Sequence, residues 1–343
     1  MLYQFLRPLL FNLEPERAHQ LSLNALALTQ RSRIGNLFFK HLAIQPTRCM
    51  GLDFPNPVGL AAGLDKNGDY IDALALLGFG FIEVGTVTPR RQPGNPQPRL
   101  FRLSKEKALI NRMGFNNYGV DHLVSRVSKR RYDGILGINI GKNFDTPIEQ
   151  ALNDYLFCLD RVYPIADYIT INISSPNTQN LQSLQQGDKL DPLLEGLCNR
   201  AAILAKNRGK NVPLAIKISP DLDSKAIESL AKTLLNHPIS AVIATNTTLD
   251  HQLVSSSPWA QETGGLSGAP LKKKAQTTLI LLNEALQGKL PIIGVGGIAS
   301  GSDAVDRIEA GASLIQIYTG LIYQGPSLIQ AILQSLGNPV LVP

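Results

Sequence analysis

The residues that could do chemistry are polar side chains placed inside or directly after short apolar runs. Asn139 lies within the apolar run 135–141, and Lys217 lies within the run 214–219. A lysine or asparagine in a buried strand is costly unless it has a partner, so one such residue is usually a satisfied polar group of the core. Four of them on successive runs indicate a shared binding pocket: Asn139, Asn172, Lys217 and Asn246.

A second lysine, Lys66, follows the small residues Ala61, Ala62 and Gly63. Small residues let a ligand approach the backbone closely, although a simple turn is the alternative interpretation of this segment. A pocket built from these groups would be rich in amides, with two lysines and few carboxylates. Such a pocket suits an anionic, planar ligand that carries amide-like groups.

Eight apolar runs would have to position these side chains. They alternate with longer segments of helical pattern, such as Ser224–Leu235 and 271–286, and nearly continuous apolar runs are typical of parallel strands buried on both faces. The runs are 57–62, 81–87, 135–141, 168–174, 214–219, 241–247, 291–297 and 314–320. Eight successive βα units predict an α/β protein of the (β/α)8 barrel class, in which inward side chains converge at the C-terminal strand ends. An open doubly wound sheet is the alternative, and the lack of a GxGxxG motif in the first βα turn disfavours its dinucleotide-binding form.

Glycines in the last two units predict a phosphate site. Residues 294–298 read GVGGI, and Tyr318, Thr319 and Gly320 end the eighth run. Barrels commonly bind phosphate through backbone N–H groups and a helix N-terminus at this position. The glycines alone are a weak signal, which their place in the seventh of eight units strengthens. Flavin mononucleotide (FMN) is a candidate ligand, with its phosphate here and its ring over the barrel mouth.

Two connections are longer than a barrel needs. One runs from Thr88 to about Asn117, and the other covers 175–190. Loops of this size are uncommon unless they are functional, and both follow C-terminal strand ends, where barrel enzymes have their active sites.

Residues 1–40 have a different pattern, which predicts a helical hairpin ahead of a barrel domain at 41–343. Pro15 suits the first position of a second helix, and the first helix has a wide apolar face. That face consists of Leu2, Phe5, Leu6, Leu9, Leu10 and Leu13. The segment 1–50 carries six basic and two acidic side chains, which is +4 of the total net charge of +6. An apolar, basic segment favours contact with an anionic membrane surface, while packing against the barrel explains the apolar face equally well.

Composition excludes several other classes. The three cysteines are widely spaced without a CxxC pair, so a zinc ribbon, an iron–sulfur cluster and a disulfide scaffold are not expected. No apolar run approaches the roughly 18 residues that span a bilayer, and the first residues lack a signal-peptide pattern. No zinc finger, RNP-like motif or basic stripe with aromatics is present, so we expect neither a metal nor a nucleic-acid partner.

The chain resembles the dihydroorotate dehydrogenase family, and within it the quinone-dependent, membrane-associated class 2. The resemblance covers essentially the whole chain and rests on segments that occur in the family's order. These segments are AAGLDKNG (61–68), EVGTVTP (83–89), GNPQPRLFRL (94–103), NRMGFNN (111–117), GINIGKN (137–143), INISSPNT (171–178), AIKISPD (215–221), ATNTT (244–248), GGLSG (264–268), GVGGI (294–298) and IYTGLIY (317–323).

This resemblance implies oxidation of (S)-dihydroorotate to orotate in de novo pyrimidine (UMP) synthesis, with FMN as hydride acceptor and ubiquinone or menaquinone as electron acceptor. It also implies that Ser175 stands where the soluble class has a cysteine, and removes a proton from C5 while hydride leaves C6. Serine is a poor base unless a neighbour takes its proton, so we expect a relay through Thr178 or buried water.

Further roles follow residue by residue from the resemblance. Lys66 is expected near both substrate and flavin, and Lys217 is expected to stabilise negative charge on the reduced ring. The implied substrate contacts are Lys66, Asn111, Arg112, Met113, Gly114, Phe115, Asn172, Asn177, Asn246 and Thr247. The implied FMN contacts are Ala62, Gly63, Leu64, Asp65, Lys66, Thr86, Asn139, Asn172, Lys217, Thr245, Gly268, Gly297, Tyr318 and Thr319.

In this class the N-terminal hairpin forms an apolar mouth for the quinone. The resemblance therefore implies a bacterial enzyme, which we expect to be a monomer bound peripherally to the cytoplasmic face of the inner membrane. A soluble fumarate- or NAD-linked dihydroorotate dehydrogenase is one alternative, which would be expected to have a cysteine in the Ser175 loop and no hairpin. A non-catalytic barrel that binds a phosphate-bearing ligand is the other, and loss of the base or of Lys217 would favour it.

Overall fold

The computed structural model describes residues 2–32 and 45–337 of the 343-residue chain. The chain begins with two helices, α1 (Leu2–Phe11) and α2 (Pro15–Arg31), and a short antiparallel pair, β1 (Thr47–Cys49) and β2 (Leu52–Phe54). In the described range 45–337, the strands that follow are β3 (Val58–Leu60), β4 (Phe81–Val87), β5 (Leu100–Leu103), β6 (Ala108–Asn111), β7 (Ile135–Ile140), β8 (Tyr168–Asn172), β9 (Leu214–Ile218), β10 (Ala241–Ala244), β11 (Gly265–Gly268), β12 (Ile292–Val295) and β13 (Ala312–Ile317).

Eight of these strands close into a parallel barrel in the order β3-β4-β7-β8-β9-β10-β12-β13, with β13 paired back to β3. Helices follow the strands: α3 (Ile71–Ala75), α4 (Val120–Val127), α5 (Ala151–Val162), α6 (Gly187–Arg208), α7 (Ser224–Leu235), α8 (Lys272–Leu286), α9 (Gly301–Glu309), α10 (Thr319–Gln324) and α11 (Ser327–Gly337). The predicted (β/α)8 barrel is confirmed, and each predicted run contains one barrel strand. Most strands end before their runs do, because the last residues of each run turn over the barrel mouth.

Aromatic rings fill the barrel interior near the N-terminal strand ends. Phe54 on β2 meets Phe81 edge-on with ring centroids 5.1 Å apart, and Phe81 meets Tyr168 at 6.3 Å. Glycines make the room: a Cβ at Gly59 would lie 2.2 Å from the Phe81 ring, and one at Gly137 would lie 2.1 Å from the Tyr168 ring. Close packing of this kind fills the N-terminal end of the barrel, so a cavity large enough for a ligand can open only at the C-terminal strand ends.

The connection from Thr88 to Asn117 is not the plain loop that the sequence suggested. It contains the antiparallel hairpin of β5 and β6, which joins β11 in a three-stranded sheet of order β11-β6-β5. Apolar residues alternate along β5, with Phe101 and Leu103 buried, so the sheet has its own small core. The connection 175–190 contains a short 3₁₀ helix at Leu181–Gln185 and the start of α6.

The predicted N-terminal hairpin is present as α1 and α2, and charged side chains attach it to the barrel domain. Arg99 donates to Glu16 on α2, with Nη2 2.7 Å from Oε1, and both side chains are mostly buried. Arg102 donates to the Phe11 carbonyl at 2.9 Å, and its guanidinium lies 4.4 Å from the Phe11 ring centroid. The predicted domain boundary between 40 and 41 lies outside the described residues. Within 2–32 and 45–337, none of the helices has both the length and the hydropathy needed to traverse a bilayer.

Candidate active site

A cavity opens at the C-terminal ends of the barrel strands, beneath the three-stranded sheet. Residues from most barrel strands line it, and Leu100 and Leu109 from the sheet cover it. It brings together most of the residues that the sequence singled out: Ala62, Gly63, Lys66, Thr86, Asn111, Met113, Gly114, Phe115, Asn172, Ser175, Asn177, Lys217, Thr245, Asn246, Thr247, Gly268, Gly297, Tyr318 and Thr319. Their convergence follows from the barrel, because inward side chains at strand ends share one space.

Four asparagines of the cavity are arranged as two hydrogen-bonded pairs. Asn177 donates from Nδ2 to Asn111 Oδ1 at 3.2 Å, and Asn246 donates from Nδ2 to Asn172 Oδ1 at 3.4 Å. Asn246 Nδ2 also lies 3.1 Å from Ser174 Oγ. Each amide presents both a donor and an acceptor, so the set can bind a ring with alternating carbonyl and N–H groups.

Lys217 is a buried cation near the end of β9. Its side chain is only 6% exposed, and it forms neither a hydrogen bond nor an ion pair with any residue in 2–32 or 45–337. Burial lowers the pKa of the Lys217 ammonium, and the carboxylate of Glu83 partly opposes this effect. An ammonium in this position is stabilised when an anionic or carbonyl-rich ligand occupies the cavity.

Lys66 also lines the cavity, and its ammonium donates to the Gly63 carbonyl at 2.8 Å. Burial lowers the pKa of Lys66 to about 8, with Glu16 raising it and Arg99 lowering it further. Lys66 also borders a second cavity beneath α2, which contains Glu16 and His19. Lys66 therefore changes charge within the range in which most enzymes are assayed.

Ser175 follows β8 in the connection that covers the cavity. Its side chain is buried, and Oγ accepts the backbone N–H of Asn177 at 3.3 Å. Within the described part of the chain, neither a carboxylate nor an imidazole forms a hydrogen bond with this hydroxyl, and Thr178 does not contact it through one either. The relay through Thr178 or water stays a prediction.

At the other end of the cavity lies a glycine-rich turn between β12 and α9. Gly296 and Gly297 have φ of +112° and +73°, a region that favours glycine. A Cβ at Gly297 would also lie 2.4 Å from Lys272 Cα, so this position has no room for a side chain. Thr319, at the start of α10, contacts Ser267 with hydroxyl oxygens 2.9 Å apart. Backbone N–H groups in such a turn suit a phosphate.

Arg307 supports this turn from behind and was not singled out by the sequence. The side chain is only 1% exposed, and Nη2 donates to the carbonyls of Gly296 at 2.7 Å and Lys272 at 2.8 Å. Nη1 donates to Gln276 Oε1. Burial lowers the pKa of Arg307 to about 10, with Asp303 and Asp306 acting in the opposite direction. The guanidinium thereby fixes the direction of the Gly296 carbonyl.

Four residues that the resemblance implied do not line this cavity. Arg112 points outward and pairs with Glu262, with Nη1 2.6 Å from Oε2. Leu64 packs in the core between strands and helices. Asp65 accepts the backbone N–H groups of residues 67, 69 and 70 and so shapes the turn that carries Lys66. Asn139 is buried behind the cavity wall, where it bonds to Thr86. Direct ligand contact by these four residues stays a prediction.

Sequence reasoning missed two further polar residues beside the cavity. Glu83 is fully buried on β4, and Gln316 is fully buried on β13 and lines the cavity. The available signal was the same as for Lys217, namely a polar residue inside an apolar run. Gln316 Oε1 has no hydrogen-bond partner among the described residues, which leaves one buried acceptor available to a ligand.

Comparisons with known proteins agree with this geometry. Residues 45–340 match the family model described as "Dihydroorotate dehydrogenase". The chain belongs to the dihydroorotate dehydrogenase family. The match covers the whole barrel, including every strand that contributes to the cavity.

Two similar relatives within the dihydroorotate dehydrogenase family are named "Dihydroorotate dehydrogenase (quinone)". The protein from Azotobacter vinelandii is 56% identical over 335 residues, which are 98% of this chain and 96% of that protein. The protein from Nitrosospira multiformis is 57% identical over 338 residues, which are 98% of this chain and 97% of that protein. A crystal structure of the Eimeria tenella enzyme in complex with ferulenol superposes with a TM-score of 0.85 at 36% identity, and covers 94% of this chain and 90% of that one.

Proposed function

We propose that this chain oxidises (S)-dihydroorotate to orotate in pyrimidine synthesis and passes the electrons to a membrane quinone. The quinone-dependent relatives support the reaction. The observation that carries the proposal is that Ser175, a candidate base, and Lys217, a buried cation without a partner among the described residues, line the same cavity as four asparagines. A planar anion that loses one proton and one hydride fits such a set.

The residues present fit FMN as the cofactor. Lys217 offers a cation, and Gln316 offers an acceptor oxygen that has no partner among the described residues. The glycine turn in the same cavity offers backbone N–H groups. The residues proposed to hold FMN through direct contact are Ala62, Gly63, Lys66, Thr86, Asn172, Lys217, Thr245, Gly268, Gly297, Tyr318 and Thr319. When bound, FMN accepts hydride from the substrate and returns the electrons to quinone.

The protein's own groups then have distinct tasks. Ser175 takes the proton from C5 of dihydroorotate as its own hydroxyl proton passes to the proposed relay through Thr178 or buried water. The C6 hydride departs in the same step, so the substrate loses two hydrogens and gains a ring double bond. The asparagine pairs orient the pyrimidine ring and its carboxylate. Lys66 attracts the negative charge of the substrate, and the connection that bears Ser175 excludes bulk water. Correct placement of the reacting atoms supplies much of the rate enhancement in such sites.

The N-terminal hairpin is proposed as the quinone entry and the membrane contact. Several apolar side chains of α1 and α2 are exposed, with Phe5 76% and Leu9 66% exposed. Ubiquinone and menaquinone reside in the bilayer, so an apolar, basic hairpin supports this role. The hairpin borders the second cavity, which shares Lys66 with the candidate active site. We propose a monomer bound peripherally at the cytoplasmic face of the bacterial inner membrane.

Anaerobic turnover tests the reaction. FMN-loaded protein should form orotate from dihydroorotate with a short-chain quinone, and should not do so with fumarate or NAD as the only acceptor. Turnover with fumarate or NAD would identify the soluble alternative. Flavin-loaded protein that turns over with none of the three acceptors would contradict the assigned substrate.

Sedimentation with vesicles tests the membrane contact. The double variant Phe5→Asp/Leu9→Asp should bind vesicles that contain anionic lipid less tightly than the wild type, because two exposed apolar groups become charged. Phe144→Asp is the matched control, since Phe144 is 54% exposed on the barrel. Equal binding by all three proteins would remove the hairpin from the membrane contact.

A further inference from the structure

A buried carboxylate lies behind the cavity wall, and the mechanism above does not use it. Glu83 on β4 is fully buried and does not line the cavity. Three donors converge on it: Asn139 Nδ2 at 2.8 Å, Tyr168 Oη at 2.9 Å and Gln316 Nε2 at 2.8 Å. An ionised carboxylate can only accept hydrogen bonds, and here each of its two oxygens has at least one donor.

This carboxylate fixes the orientation of the Asn139 amide. Because Nδ2 must face Glu83, Oδ1 must face the opposite way, towards Thr86 and Asn172. Asn139 Oδ1 indeed accepts from Thr86 Oγ1 at 2.6 Å and from Asn172 Nδ2 at 3.2 Å. A flipped Asn139 would place its Oδ1 against the Glu83 carboxylate and its Nδ2 against the Nδ2 of Asn172, so both of these hydrogen bonds would be lost.

The same constraint passes to the residues that line the cavity. The Thr86 hydroxyl uses its proton towards Asn139, so it accepts from Asn172 Nδ2 at 3.0 Å. With Nδ2 so engaged, Asn172 turns Oδ1 to the Asn246 amide at 3.4 Å and to the Ser174 N–H at 3.3 Å. Once the Asn139 amide is oriented, each group in this hydrogen-bond network has one permitted orientation.

We propose that Glu83 is a positioning residue, which acts through Asn139 to set the donor and acceptor directions that Thr86, Asn172 and Asn246 present to the substrate. The inference rests on the proposed function for the identity of that substrate. A carboxylate suits this task better than an amide, because a side-chain amide could itself flip and permit two arrangements of the hydrogen-bond network.

An exchange of acid and amide between two positions tests the idea. Asn139→Asp alone sets two carboxylates against each other and removes the donor that Glu83 requires. The double variant Glu83→Gln/Asn139→Asp restores the donor and acceptor direction of every hydrogen bond in the network. Its new amide donates to the new carboxylate and accepts from Tyr168 and Gln316, and the carboxylate keeps an acceptor facing Thr86 and Asn172. Orotate affinity of the FMN-loaded, oxidised protein is measured by isothermal titration calorimetry for the wild type, both single variants and the double variant.

We expect Asn139→Asp to weaken orotate binding by at least about tenfold, and the double variant to bind within about threefold of the wild type. Tyr168→Phe is the control, because it removes one donor from the far oxygen of Glu83 and leaves Asn139 unchanged; its orotate affinity should equal that of the wild type. Thermal unfolding of every variant shows whether a loss of orotate affinity accompanies a loss of stability or occurs without one.

Two outcomes would overturn the inference while the proposed function stands. One is a double variant that binds orotate no better than Asn139→Asp. The other is a Tyr168→Phe variant that loses as much affinity as Asn139→Asp, since general loosening of the barrel would then explain both. Wild-type protein that does not bind orotate would overturn the proposed function together with this inference.

Discussion

Replacement of Arg307 by methionine should damage the glycine turn in a measurable way. The variant removes the Arg307 donor from the Gly296 carbonyl, whereas the Lys272 carbonyl keeps its helical partner because it begins α8. One unsatisfied buried acceptor costs about 1–3 kcal/mol. Burial of the guanidinium is itself unfavourable, as its pKa of about 10 indicates, and its removal offsets part of this cost. We expect the free energy of unfolding to fall by about 1–3 kcal/mol.

Urea unfolding followed by circular dichroism measures that loss, and titration of the apoprotein with FMN measures the state of the turn. Arg307→Met should bind FMN about tenfold more weakly, because the Gly296 carbonyl loses the contact that directs it. The FMN affinity of Arg307→Lys should fall between those of the wild type and Arg307→Met, since one ammonium cannot reproduce the forked contacts of a guanidinium. The control is Arg90→Met, whose ion pair with Asp145 is exposed and should contribute little. If Arg307→Met matches the wild type in both urea midpoint and FMN affinity, Arg307 does not support the glycine turn.

Three further predictions concern the cavity. Ser175→Ala should lower the rate of flavin reduction by about 10²–10⁴-fold in stopped flow, with little change in orotate affinity, because a general base acts mainly in the transition state; an unchanged rate would reject the assignment. Lys66 is cationic below its pKa of about 8, so binding of the orotate anion should weaken as pH rises through 8. Lys66→Met should abolish that dependence in calorimetric titrations, and a persistent dependence would point to another group. Lys217→Met should raise the FMN dissociation constant in fluorescence titrations yet stabilise the apoprotein, since a buried charge without a partner among the described residues is removed; lower apoprotein stability would contradict this account.

The lysine shifts also determine how stability depends on pH. Burial lowers the pKa of Lys66 in the folded protein from 10.5 to about 8, so between these values the unfolded chain binds more protons than the folded one. Lys66 therefore makes the free energy of unfolding rise with pH across this window. Below about pH 8 the folded protein carries the full penalty for burying the charge of Lys66. Lys217 acts in the same direction, because burial also lowers its pKa.

The sequence predicted the barrel because its signals are local. Buried parallel strands need continuous apolar runs, and the run 81–87 coincides with β4 (Phe81–Val87). One predicted helix matches its expected bounds, since Ser224–Leu235 is helical. In the structure Asp223 caps this helix, α7, by accepting the Ala226 N–H at 2.8 Å. The convergence of Lys217 and the asparagines followed from the barrel itself.

Features that depend on distant contacts could not be predicted. The Glu16–Arg99 pair joins residues 83 positions apart, and neither residue stands out in its own segment. Arg307 lies on an amphipathic helix, α9, where an arginine ordinarily faces solvent, yet it is buried against the glycine turn. Arg112 lies within a conspicuous motif, but the β6–β11 pairing turns it outward. Such outcomes depend on which elements meet in space.

The attachment of the N-terminal hairpin to β5 has a consequence for the solubility of shortened forms of the protein. A closed barrel has no edge strands, whereas the added sheet of order β11-β6-β5 has β5 at its edge. The helix α2 packs against that strand, and Arg102 of β5 holds the carbonyls of Phe11 and Leu13. An uncovered edge strand presents unpaired N–H and C=O groups to other chains. Removal of the hairpin is therefore expected to expose more of β5 and to favour self-association of the barrel domain.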